Sequence, residues 1–275
     1  TWLILLAIML HGLYHVWHAP ANDMEQEYLG NKRRSWRLPA EYWIYAWAKG
    51  HLHMARLVAL AIGSAGAWVA MSYATALGGP QAGLLAGCIV LSSPTLVGAL
   101  AKASCISPVA LLWISGLYAL HTEHHMLAIV CGIALALLRH TSWPMALWLL
   151  WASGGIVIAS AIVAYLWVAH KEVVLSQGWA LLVQRKACPV IGYPRDGWGY
   201  AIVIAAKRFE AWGAWVLAAM VLGHWSKPAF MLALVTLITL ICTHLPRVIY
   251  RPKWVLGYLP DFMLPVAVVI AVVLA

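Results

Sequence analysis

The densest acidic chemistry in the chain follows directly on its first apolar run, in His18-Ala-Pro-Ala-Asn-Asp-Met-Glu-Gln-Glu-Tyr28, and four of the nine acidic residues fall within 23–41. Asp23-Met-Glu25 offers two carboxylates within one helical turn or one strand step. Held at a membrane surface, such a pair can act as a general base or bind a divalent metal ion. The same residues suit a helix start, with Asn22 or Asp23 as the cap and Glu25 and Glu27 favoured in the first turn by the helix dipole. The chain also has 12 histidines, and His11, His15 and His18 fall at i, i+4 and i+7 on one face of a first helix. Neutral imidazoles on that face are candidate metal ligands. Haem iron, which needs histidines on two facing helices, would draw on His224 and His244. A row of interfacial histidines bonded to neighbouring helices gives the same pattern. The group His121, Glu123, His124 and His125 lacks the H-E-x-x-H arrangement and reads as a solvated turn. Gly-rich phosphate loops, a Ser/His/Asp ordering and a nucleotide fingerprint are missing, which argues against cytosolic nucleotide chemistry.

The elements that would position these residues are set by an extreme composition. Of 275 residues 64% are apolar and only 10% charged, and mean hydropathy is +0.82. A soluble domain is about half apolar and a quarter charged, so a water-soluble globule and a disordered chain are both excluded. The expected fold is all-α, a polytopic membrane bundle of about eight or nine spans with amphipathic interfacial helices. Apolar runs bounded by charges, Pro and Gly lie near 1–18, 56–77, 82–101, 106–120, 125–139, 143–169, 209–224, 228–245 and 257–275. The fourth and fifth are short and read as a hairpin around the 121–125 tip. In the sixth, Gly154-Gly155 predicts a kink or a close helix contact. No basic n-region or cleavage site accompanies the first run, so a secretory signal peptide is not expected. Cys88, Cys105, Cys131, Cys188 and Cys242 are scattered without a C-x-x-C pair and read as small apolar core residues.

Within this single transmembrane domain, 1–275, two polar regions stand apart, 19–55 and 170–208. The first carries Trp36, Tyr42, Trp43, Tyr45 and Trp47 with Arg33, Arg34, Arg37 and Lys49, the makeup of a helix in the headgroup layer. The second, with Arg185, Lys186, Pro189 and Pro194, reads as a basic extramembrane loop. A net charge of +9 in such a chain belongs with lipid headgroups rather than nucleic acid. With nine spans, Lys and Arg divide equally between the two sides, nine on each. One large basic region therefore sits on the side that normally avoids positive charge, and an anionic lipid-linked ligand would explain it. Arg139, Glu210 and Asp261 fall at expected span ends, where snorkelling is easy.

The order of these features resembles a known family. A first span is followed by a loop opening on D-x-E and by Leu38-Pro39-Ala-Glu-Tyr42-Trp43-Ile-Tyr-Ala-Trp-Ala-Lys-Gly50. Ala55-Arg56-Leu57-Val58 then leads into the next span. Tyr73 to Gly79, Ala82 to Ala86, Leu91-Ser-Ser-Pro94, Gly132 to Arg139 and Trp143-Pro144 continue a pattern that is similar to the polyprenyl-phosphate-sugar-dependent glycosyltransferases of the GT-C fold, over about residues 1–150. The resemblance implies Asp23 as catalytic base, Glu25 as its acidic partner, and Arg33, Arg34 and Arg37 as ligands of the lipid phosphate through charge-assisted hydrogen bonds. The Lys102-Ala-Ser-Cys105 loop departs from the family in having no acidic residue. The implied setting is a bacterial inner membrane, with a polyprenyl-phosphate sugar and membrane lipids as partners. Two other classes compete. One is a non-catalytic polytopic subunit of a secretion, transport or respiratory complex; the other is an electron-transfer subunit with His-ligated haem or metal.

Overall fold

A computed structural model describes residues 2–21, 25, 48, 51–139, 142–169, 227–250 and 260–275. All regular structure among these residues is helical. We number the helices α1 (Trp2–His18), α2 (Leu52–Leu91), α3 (Pro94–Leu100), α4 (Ile106–His121), α5 (His125–Leu138), α6 (Trp143–Ala152), α7 (Ile156–Ala169), α8 (Lys227–Tyr250) and α9 (Pro260–Leu274). The expected run 209–224 and the polar regions 26–47 and 170–208 lie outside the described residues.

The 40 residues of α2 are not one rod. Gly79 has φ 83° and ψ −178°, a conformation open essentially only to glycine, and Pro80 follows it at the position where a second helix tolerates a missing N–H. The two limbs, 52–78 and 80–91, fold back on each other. A Cβ built at Gly83 would collide with Thr75 Oγ1 and stand 3.0 Å from Met71 O, and one at Gly87 would stand 2.9 Å from Met71 Cε. The break expected between runs 56–77 and 82–101 is therefore a tight helical hairpin. α2 is long and apolar enough to cross a membrane, and its first limb alone extends about 40 Å at 1.5 Å per residue.

That limb presents a row of small buried residues, Ala55, Ala59, Gly63, Gly66, Ala67, Ala70 and Ala74. Small side chains let helix backbones approach closely. A Cβ at Gly63 would lie 2.7 Å from Leu100 Cβ of α3, and one at Gly66 would lie 3.4 Å from Leu111 Cα of α4 and 3.0 Å from Leu264 Cδ1 of α9. α9 packs most extensively against α2 and also against α4 and α8; Phe262, Leu264, Ala267, Val268, Val269, Ile270 and Ala271 are all buried. It is a central helix, apolar nearly all round. α1 runs antiparallel to the first limb, with Trp2 stacked on Trp68 at 4.5 Å and Gly12 against Leu60 near the other end.

α4 and α5 form the expected hairpin, and its turn closes a Schellman motif. His124 N–H donates to Ala119 O at 2.8 Å and Glu123 N–H to Leu120 O at 3.3 Å, with Glu123 at φ 60°. The long run 143–169 breaks the same way: Gly155 N–H donates to Leu150 O at 2.7 Å and Gly154, at φ 80°, to Trp151 O at 3.1 Å. The Gly154-Gly155 pair thus ends α6, and α7 starts directly after it. Cys105 and Cys131 are buried as expected, whereas Cys88 is exposed. Arg139, expected to snorkel, is instead only 4% exposed.

Two substitutions test these turns. Gly83→Val should lower stability by about 2 kcal/mol or more through overpacking of the hairpin, while Leu84→Val on the exposed side should leave it nearly unchanged. Glu123→Gly should raise stability by about 1 kcal/mol by removing a left-handed non-glycine residue. Both are read as shifts in thermal unfolding midpoint of the purified protein.

Candidate functional site

Among the described residues, Glu25 of the acidic segment is joined to the helical body by an ion pair. Arg56 lies one turn inside α2, only 1% exposed, and Glu25 is completely buried against it. The contact is bidentate: Arg56 Nε donates to Glu25 Oε1 at 2.9 Å and Arg56 Nη2 donates to Oε2 at 2.8 Å. The remaining guanidinium hydrogens go to the end of α1. Nη1 donates to Val16 O at 3.1 Å and to Ala19 O at 2.7 Å, and Nη2 to Pro20 O at 2.9 Å. A guanidinium has five N–H donors in a fixed fork, and here all five are used.

Each contact has a local cause. The last carbonyls of a helix have no intrahelical partner, so the α1 end, turning away at Ala19-Pro20, presents acceptors that a cation satisfies well. Glu25 Oε1 accepts a second hydrogen bond, at 3.0 Å, from the backbone N–H of Ala103 in the turn between α3 and α4. One carboxylate thus joins α1, α2 and the 101–105 turn. A buried pair of this kind is stable only when its remaining donors and acceptors are satisfied, as they are here. His53 adds a further clasp, its Nδ1 3.1 Å from Val16 O and its ring stacked on Trp17 at 4.5 Å.

The expected site residues separate under this geometry. Glu25 is brought to Arg56 and Ala103, and each of its carboxylate oxygens accepts at least one hydrogen bond. Asp23, Arg33, Arg34 and Arg37 lie outside the described residues, as does His224; the side chain of His244 does also. The α1 histidines do not converge as a trio. His18 turns back to its own helix, with Nδ1 3.0 Å from Tyr14 O and its ring stacked on Tyr14 at 4.5 Å. His11 and His15 remain neighbours, with ring centroids 5.2 Å apart. Among the described residues no group of three or more His, Cys, Asp and Glu side chains is disposed to hold a metal ion.

Sequence reasoning did not single out Arg56. It sits 31 positions from Glu25, so no local periodicity links the two, although a lone arginine one turn inside an apolar helix is itself a signal that it has a partner. Compared with protein-family models, curated proteins and solved structures, the chain has no match in any of the three.

The anchor is open to substitution of its partners singly and together. Arg56→Ala and Glu25→Ala should each cost about 3–5 kcal/mol, because each leaves a buried charge alone, and Arg56→Lys should fall in between since an ammonium has three donors and no fork. Joint replacement by Arg56→Met and Glu25→Leu should recover much of the loss in thermal midpoint, leaving the deficit of the α1 carbonyls and of Ala103 N–H.

Proposed function

We propose that the chain is a multi-pass membrane protein of the GT-C kind, moving a sugar from a polyprenyl-phosphate carrier to a lipid or protein acceptor, with Asp23 as general base. The observation that supports this most is the anchoring of the acidic segment. Covalent geometry keeps the Cα of Asp23 within about 7 Å of the Cα of Glu25, whose side chain is clamped at the helix ends next to the Lys102 turn. A base for attack at a lipid-linked substrate has to be held close to the membrane surface in a fixed position, and a five-donor clamp two residues away supplies such rigidity. Glu25 is a positioning residue in this reading, and Arg33, Arg34 and Arg37 supply charge for the carrier phosphate.

The multi-pass arrangement is supported by where large apolar side chains are exposed. Leu3, Leu6 and Leu10 on α1, Met126 and Val130 on α5 and Val157 and Val168 on α7 all face outward, while α9 is buried at the centre. Trp2 at one end of α1 and Tyr14 and Trp17 at the other are exposed as well, the distribution of an aromatic belt at two interfaces. A continuous apolar exterior of this extent suits lipid and not water.

Asp23→Asn should reduce transfer from a synthetic polyprenyl-phosphate sugar in proteoliposomes about a hundredfold or more, with the purified yield and thermal midpoint unchanged. A cysteine at Gln26 should be labelled only from the side on which the sugar is presented. Wild-type protein without transfer, together with co-purification of fixed membrane partners that Asp23→Asn does not disturb, would instead establish a non-catalytic subunit.

A further inference from the structure

We propose that the tip joining α4 to α5 is a proton-gated contact for anionic phospholipid headgroups, repelling them at neutral pH and attracting them in acid; this rests on the multi-pass reading and not on transfer chemistry. The tip is His121-Thr-Glu-His-His125, and His121, Glu123, His124 and His125 are all exposed. Glu123 is the only Asp, Glu, Lys or Arg between Lys102 and Arg139. With neutral imidazoles the tip therefore carries one negative charge. An imidazole gains its proton between about pH 8 and pH 5, and three protonated rings turn the net charge of the tip from −1 to +2.

Their placement puts these charges at headgroup depth. The turn, closed by the 2.8 Å bond from His124 N–H to Ala119 O, carries all three histidines on one short bend. Directly beyond it the outward side of α5 becomes apolar, with Met126 75%, Leu127 50% and Val130 57% exposed. In a bilayer the boundary between such a side and a polar tip falls between acyl chains and headgroups. The titratable side chains packed on the tip are phenols: the Tyr73 ring of α2 lies 5.5 Å from that of His121, and the Tyr118 ring of α4 lies 5.5 Å from that of Tyr73. Phenols carry no charge in this pH range. Among the described residues Glu123 is therefore the one anion at the tip that the imidazoles have to outweigh. α4 leads from the 101–105 turn to this tip, so the Arg56–Glu25 pair, at the opposite end of the helix, does not enter the balance. Each positive charge near an anionic surface multiplies local association about fivefold.

The test uses the full chain in lipid vesicles, with its five cysteines replaced by alanine and a fluorophore attached through Met126→Cys beside the tip. Quenching by phosphatidylglycerol spin-labelled high on its acyl chain is compared with quenching by phosphatidylcholine labelled in the same way, at about pH 7.5 and about pH 5.5, on either side of imidazole protonation. The ratio of the first to the second should rise about fivefold or more at the lower pH. Joint replacement by His121→Gln, His124→Gln and His125→Gln should hold the ratio flat, whereas His18→Gln and His53→Gln, at the other end of the bundle, should leave the rise intact. Glu123→Gln should raise the ratio already at the higher pH. A ratio that does not change with pH, or a rise that survives the triple replacement, would overturn the proposal. Absence of quenching by either lipid at both pH values would sink the multi-pass reading, and the proposal with it. Should the alanine background fail to fold, the phosphatidylglycerol retained by wild-type and triple-variant protein purified at the two pH values decides in the same way.

Discussion

Everything at one end of this protein depends on keeping a guanidinium out of water with all five of its hydrogens bonded. Arg56 reaches the last carbonyls of α1, the carboxylate of Glu25 and, through that carboxylate, the Ala103 amide. Remove any partner and a charged group is left in an environment that cannot solvate it. The network therefore behaves as a unit, and its value lies in geometry. Five bonds in the plane of a rigid fork leave little freedom in how α1 meets α2 or in where the chain goes after Pro20.

Such directionality matters in a chain that is 64% apolar, where burying one leucine among many says little about which helix it should face. Two other devices supply the choice. One is close backbone approach, as at Gly63, Gly66 and Gly83, where small residues admit Leu100, Leu264 and Thr75. The other is a turn that a single backbone conformation dictates, as at Gly79 and Gly154. The first selects neighbours, the second ends one helix and begins the next, and the Arg56 network ties Glu25, in the α1–α2 connection, to both helices.

Much of the helical plan was legible because apolar runs and glycine breaks are local signals. The runs 1–18, 106–120, 125–139 and 257–275 correspond closely to α1, α4, α5 and α9, and Gly78-Gly79-Pro80 marked a real reversal. Gly154-Gly155 was legible as an irregularity but its outcome was not, since a kink and a Schellman stop begin with the same residues; the deciding hydrogen bonds to Leu150 and Trp151 end the helix there. The partner of Glu25 was not legible, for a different reason. Asp23-Met-Glu25 looks like a pair of equivalent acids, and nothing near it in sequence says that Glu25 is spoken for by an arginine 31 residues on. Arg139 shows the same limit from the other side: a position at a helix end implies access to the interface, yet packing buries it.

The distribution of polar contacts also bears on where function can reside. At the Gly79 end the helices meet through small residues and aromatic rings, with Tyr73 5.5 Å from both Tyr118 and His121. At the Arg56 end, by contrast, backbone carbonyls, a carboxylate, an amide and two histidine-bearing helices converge at Glu25, two residues in sequence from Asp23 and from Glu27. Burying a charge pair is seldom the most stable way to join helices, and apolar replacement often does as well or better. What the pair does, and leucine and methionine would not, is fix Glu25 against α2 and the 101–105 turn through directed hydrogen bonds, so that the two helices and the turn meet in one geometry.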